Sequence, residues 1–328
     1  MKNLKDILVE GLADWDEGDF EKSIKKETSK TAIKKEIIDW IDKNTMYKLV
    51  KSKLKFDTST MPWVVDYPDF IRIKMTASSL TNGLFQWGTI DGTFCCDMCT
   101  NLESLEGAPK KVMHFSCCSC HRLTSLEGGP EEVKFDFVCN NCKNLKSLKG
   151  GPEKVRFFRC TNCTNLESLE GCPEIVNGFY CNNCKSLKSL KGIGKLNRHV
   201  NIDLEDCENL ESIKDLKCES IQSLWLINCK NLKSIECDLN EVEAMNCSGC
   251  QSLKNLKGGP KSVNGLYLND CINLKSLEGL PQNVFKLEMI NCKKLEDIDA
   301  LKGFKKSNIN INTGSNIELQ AKINEMIK

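Results

Sequence analysis

A cysteine recurs every 21 to 23 residues through most of this 328-residue chain, and each is followed three residues later by a leucine. The cysteines are Cys99, Cys120, Cys142, Cys163, Cys184, Cys207, Cys229, Cys250, Cys271 and Cys292, and the leucines run from Leu102 to Leu295 at matching positions. Ten copies at one spacing predict a solenoid, because a unit this short can bury an apolar face only against the copies above and below it.

Three residues before each column cysteine stand Cys96, Cys117, Cys139, Cys160, Cys181, Leu204, Leu226, Cys247, Leu268 and Met289. Cysteine exchanges there with leucine and methionine, so the position asks for a small or medium apolar side chain, which a buried free thiol supplies. Two residues earlier again the column is wholly apolar, from Phe94, Phe115, Phe137, Phe158 and Phe179 to Ile202, Leu224, Met245, Leu266 and Leu287. Alternation at these positions predicts one short strand per unit with one face inward.

The unit reads V-x-x-F-x-C-x-x-C-x-x-L-x-x-L-x-G-x-P, clearest from Val155 to Pro173. It resembles the leucine-rich repeat L-x-x-L-x-L-x-x-N/C-x-L, in its short bacterial and tailed-phage form. That resemblance implies an α+β repeat solenoid with a parallel sheet on the concave face and extended convex turns. The L-E-G-x-P segments agree, being too short and too rich in Gly and Pro for a helical turn. The units at Cys184, Cys207 and Cys229 lose the G-x-P turn, so a change of curvature is expected near residues 190 to 245.

Three segments are expected: an N-terminal helical and β cap over residues 1–79, the solenoid over 80–303, and a strand and helix cap over 304–328. Leu4, Ile7, Leu8 and Leu12 have helical spacing, as do Ile33, Ile37, Ile38 and Ile41. Residues 47 to 75 read as strands. At the other end Ile317, Ile323, Met326 and Ile327 are placed to close the last strand. Leu8-Val9-Glu10-Gly11 is similar to the cleavage signals by which T-even-type phages trim head proteins, so a tailed-phage structural or head-packaged protein is the alternative reading, and a metal-thiolate protein a third.

Lys+Arg 46 against Asp+Glu 45 leaves a net charge of +1, which gives no electrostatic case for nucleic acid or an anionic membrane. No apolar run approaches the roughly 20 residues that span a bilayer. The N-terminus carries charges inside its apolar segment and does not read as a secretory leader. A reducing cytosol is expected, that of a host cell if the protein is phage-encoded, or a virion. A monomer or weak oligomer is expected.

The 21 cysteines satisfy a C-x2-C…C-x2-C metal pattern in several repeats. A pattern that periodicity produces everywhere carries little weight as a site. No metal or cofactor is expected, and any metal would sit where the extra thiols Cys95 and Cys118 add to Cys96, Cys99, Cys117 and Cys120. His114, His121 and His199 are scattered, and no nucleophile–base or phosphate-loop arrangement appears, so no enzyme is expected. His121 reads as an exposed polar residue on a turn.

The candidate site is the outward strand face. One residue per unit lies between the two inward positions: Cys95, Ser116, Val138, Arg159, Tyr180, Asp203, Trp225, Asn246, Tyr267 and Glu288. Two residues on come Asn140, Thr161, Asn182, Glu205, Ile227, Ser248, Asn269 and Ile290. Phe157, Arg159, Tyr180, Trp225, Ile227, Tyr267 and Glu288 are the expected contacts of a protein partner, because aromatics on a face that should be polar mark binding hot spots. The Asn/Asp residues just before the column cysteines, Asn141, Asn162, Asn183, Asp206, Asn228, Asp270 and Asn291, are expected to bond their own backbone where the strand turns away.

Overall fold

The computed structural model describes residues 30–327 of the chain. The helix expected over Leu4, Ile7, Leu8 and Leu12, and the Leu8-Val9-Glu10-Gly11 segment, lie outside the described residues.

Each repeat contributes one strand, and the strands stack in chain order. They are β1 (Lys55–Asp57), β2 (Trp63–Tyr67), β3 (Ile71–Arg72), β4 (Phe85–Cys95), β5 (Lys111–Ser116), β6 (Glu132–Val138) and β7 (Lys154–Arg159). There follow β8 (Glu174–Tyr180), β9 (Val200–Asp203), β10 (Lys217–Trp225), β11 (Asp238–Asn246), β12 (Ser262–Tyr267), β13 (Lys286–Glu288) and β14 (Asn310–Asn312). All belong to one sheet, parallel from β2 onward, with β1 antiparallel at the edge and β3 beside β4. The molecule is a parallel β-solenoid of about 12 turns.

Register confirms the apolar columns. Phe94, Phe115, Phe137, Phe158, Phe179, Ile202, Leu224, Met245, Leu266 and Leu287 pair strand to strand without a slip. The five phenylalanines form a continuous stack with centroids 5.2 to 6.1 Å apart, all fully buried. Their spacing follows the strand spacing, since rings on successive parallel strands can only lie face to face.

Both turns of the repeat need left-handed backbone. The residue before each column cysteine has φ between +56° and +62°, from Met98 to Asn291, with Gly249 at +75°. Asn, Asp and Gly dominate because they tolerate this region best. The side chains do not bond their own backbone as expected. They bond one another across turns, Asn162 Nδ2 to Asn141 Oδ1 at 3.0 Å and Asn183 Nδ2 to Asn162 Oδ1 at 2.7 Å. The second turn uses glycine: Gly150 has φ +85°, and a Cβ there would lie 2.4 Å from Glu127 Cα. Where the G-x-P turn is lost, β9 shortens to 4 residues, β10 and β11 lengthen to 9 each, and the sheet continues unbroken.

Before the stack, α1 (Lys30–Asn44) buries Ile33, Ile37 and Ile41, the spacing of one helical face, and its Trp40 ring meets Phe85 edge-on at 5.4 Å. Residues Lys51–Lys53 form a 3-10 turn, not a strand; exposed lysines sit there between buried Leu49 and Leu54. Parallel stacking begins at Trp63, ahead of Leu80.

At the other end α2 (Ile317–Met326) is capped by Asn316, whose Oδ1 accepts from the Leu319 N–H at 3.0 Å. Leu319, Ile323 and Ile327 are buried on one face. Ile317, expected inside, is 83% exposed, because the buried stripe passes through 319 and 323 and leaves the first helical residue on the other side.

Candidate functional site on the sheet face

Strand alternation turns the residues flanking each core phenylalanine outward. Register aligns Arg159, Tyr180, Asp203, Trp225, Asn246, Tyr267 and Glu288 in one row across β7 to β13. A second row, two residues earlier, holds His114, Asp136, Phe157, Gly178, Asn201, Ser223, Ala244, Gly265 and Lys286. Tyr180, Trp225, Ile227 and Tyr267 are half-buried on this face, not protruding. Cys95 holds its place in the first row but is buried, with Arg72 of β3 beside it.

The structure joins Phe157, Arg159 and Tyr180 in one cluster. The Arg159 guanidinium lies 4.4 Å from the Tyr180 ring centroid and 5.5 Å from that of Phe157, within cation–π range. Asp136 is 3.8 Å from Arg159 and 2.8 Å from His114 Nδ1, whose ring stacks on Phe135. At the far end Lys286 lies 4.9 Å from the Tyr267 ring centroid and 2.9 Å from Glu288. The hydrogen bond from Lys286 holds the Glu288 carboxyl below its ordinary range. Trp225 and Ile227 stand between these clusters, on β10 and just after it, in contact with neither by ring or ion pairing.

Two glycines that sequence reasoning missed seat the tyrosines. A Cβ on Gly178 would lie 2.6 Å from Tyr180 Cε2, and one on Gly265 would lie 3.3 Å from Tyr267 Cε2. Each ring occupies the space a side chain two residues earlier would fill. The signal was present as N-G-x-Y, at Asn177 to Tyr180 and again at Asn264 to Tyr267.

The His114–Asp136 pair was also missed, because its partners are 22 residues apart and meet only through register. Thr93 of β4 stands beside His114 in register, but among the described residues no hydroxyl or thiol hydrogen-bonds to the imidazole. Ser116 Oγ, two residues on, donates to Asp97 Oδ1 at 2.5 Å. His121, expected exposed, is half-buried with Nδ1 shut away from solvent and unpaired. No helix among the described residues is long and apolar enough to cross a membrane.

The thiols behave differently in the two cysteine columns. Every column cysteine donates its S–H to a backbone carbonyl of the turn before: Cys120 to Cys96 O at 3.1 Å, Cys163 to Cys139 O at 3.2 Å, Cys250 to Leu226 O at 3.2 Å. That requirement for a donor explains why this column never changes residue type, while the other accepts Leu and Met. Burial pushes the thiols up, to about 12 for Cys99 and Cys237 and about 11 for Cys118.

Among the described residues, the one group with metal-holding geometry is Cys160, Cys181 and Cys184, three buried thiols within 4.8 Å of one another. This is not the Cys95 to Cys120 region expected for any metal. A closed zinc site takes four ligands, and here Cys184 is already engaged with the Cys160 carbonyl at 3.2 Å. The donor set does not fit.

Reduced, denatured protein should therefore titrate 21 free thiols, while native protein labels at most the four half-buried ones, Cys118, Cys172, Cys218 and Cys237. Raised thiol pKa values also predict a loss of stability in alkali. The unfolded chain releases thiol protons near 9 and the native state holds them to about 11 or 12, so stability present below pH 9 falls as pH rises through that window. Stoichiometric zinc surviving dialysis would contradict this account. No protein-family model matches the chain, and neither does any curated relative.

Proposed function

We propose that the chain is a leucine-rich-repeat protein of reducing compartments that binds a protein partner on its sheet face and performs no catalysis. The Asn/Cys consensus position of that repeat takes residues able to donate a hydrogen bond, and the thiol-to-carbonyl ladder fits this need. The segments carrying α1 and α2 act as caps over the two open ends of the core.

The observation that carries the binding reading is the spacing of Tyr180, Trp225 and Tyr267. They occupy every second strand of one row, roughly 10 Å apart at two strand spacings, with Asp203, Asn246 and Glu288 between them. Aromatics half-sunk among polar neighbours supply contact area with little side-chain entropy to lose, the usual composition of an interface hot spot.

Trp225→Ala should weaken partner binding by about 2 kcal/mol and leave stability nearly unchanged, since the side chain lies outside the core. Lys143, Lys146 and Lys149 are exposed on the opposite turns, so charge reversal there should leave affinity in place at physiological salt. Affinity that survives Trp225→Ala and is lost on the lysine changes would put the site on the turns instead.

A further inference from the structure

The sheet face has a charge of its own. Its three outward rows carry five carboxylates, Asp97, Asp136, Asp203, Glu205 and Glu288, against three cations, Arg72, Arg159 and Lys286, in a chain whose net charge is +1. Arg159 is committed near Asp136 and Lys286 to Glu288, and Arg72 lies beside Cys95 at the β3 end of the face, six strands from Asp203 on β9. Asp97 accepts from Ser116 Oγ and the Cys118 N–H. Asp203 and Glu205 are left with no Lys, Arg or His in ion-pair contact among the described residues; the bond between them is the Glu205 backbone N–H donating to Asp203 Oδ1 at 3.1 Å.

These two carboxylates sit where the aromatic row opens. Asp203 on β9 is paired in register with Tyr180 on one side and Trp225 on the other. Glu205, two residues on, is flanked by Asn182 and Ile227, and its backbone carbonyl accepts from the Asn183 N–H at 2.7 Å. Burial raises the Glu205 carboxyl, and the neighbouring charges of Asp203 and Asp206 add to that. Two aromatic side chains two strands apart leave a gap of roughly 10 Å. An inserted group in van der Waals contact with both walls needs about 7–8 Å.

We propose that the partner is basic: an extended polypeptide segment running across the strands, with a lysine or arginine side chain entering between Tyr180 and Trp225 above Asp203 and Glu205. This rests on the sheet-face reading above and adds the chemistry of the occupant. A cation in that gap gains attraction from the ring faces and from two carboxylates that have no other counter-charge. It also removes the repulsion now stored between them.

The probe is a blocked ten-residue peptide of alternating glycine and lysine, titrated into the full chain and followed by anisotropy, beside the glycine–glutamate peptide of the same length. The lysine peptide should bind with an affinity that falls steeply between 50 mM and 500 mM salt, and the glutamate peptide should not bind. D203N/E205Q should weaken the lysine peptide about tenfold or more, as should W225A, while E127Q/E170Q on the turns leaves it unchanged. D203N/E205Q relieves like-charge repulsion, so its melting temperature should not fall, which separates lost binding from lost folding. No binding of the lysine peptide, or binding indifferent to D203N/E205Q, overturns the proposal. Binding of the glutamate peptide that still requires Trp225 removes the basic partner and leaves the sheet-face reading standing.

Discussion

Phe137→Ala should destabilise the protein by about 3–5 kcal/mol, the usual cost of emptying a core aromatic site. Phe137 is fully buried in the middle of the ring stack, 5.2 Å from Phe115 on one side and 5.2 Å from Phe158 on the other. Neither neighbour can move into the void without leaving its own strand, so the site relaxes little. In a solenoid each turn is held only by the turns beside it, so the damage is also a weakened junction between two halves. Urea unfolding followed by far-UV circular dichroism should show a lower midpoint and a broader or divided transition. Phe157→Ala is the matched control, one residue before a core phenylalanine but on the outward face, and should cost about 1 kcal/mol or less. Equal losses at the two positions would mean that the inward and outward assignments are wrong.

The stack was legible because period, side-chain class and volume all pointed to one arrangement. Phenylalanine at the first inward position is always followed two residues later by cysteine, as in Phe94/Cys96 and Phe158/Cys160. An aliphatic residue there is followed by Leu or Met, as in Ile202/Leu204, Leu224/Leu226 and Leu287/Met289; Met245/Cys247 pairs a long side chain with a small one. Each turn thus fills a similar volume, as a close-packed interior of fixed strand spacing requires.

What escaped the sequence was whatever depends on contact between turns at a single atom. Apolar substitution in one cysteine column suggested that both columns were filler, and only the thiol–carbonyl geometry separates them. Asparagine before the column cysteine announced a turn, but its left-handed φ and its bonds to the next asparagine follow from stacking. Gly178 and Gly265 offer no side chain to read, and their use shows only once the tyrosine rings are placed over them. The His114–Asp136 pair needed the register of β5 on β6, which a bulge shifts. The face was therefore legible as a row of residues, while its local pairings were not.

The two cysteine columns should answer opposite substitutions. At Cys163 the thiol donates to the Cys139 carbonyl at 3.2 Å in a fully buried layer. Cys163→Ser keeps a donor in place and should cost about 1 kcal/mol, because the buried hydroxyl finds the same acceptor. Cys163→Val keeps the site apolar but strips the carbonyl of its partner and adds bulk, so about 3 kcal/mol is expected. Cys247 belongs to the other column, with Leu226 and Leu268 at the equivalent positions of the adjoining turns, and all three are fully buried. There Cys247→Val should cost less than about 1 kcal/mol, and Cys247→Ser about 1–3 kcal/mol for a hydroxyl placed among leucines. Chemical denaturation of the four variants reads the crossing directly. If valine is the milder change at both sites, the thiol bonds contribute nothing and the invariant column is only a matter of size. If serine is milder at Cys163 alone, a hydrogen-bond donor is what keeps that column cysteine in all ten repeats.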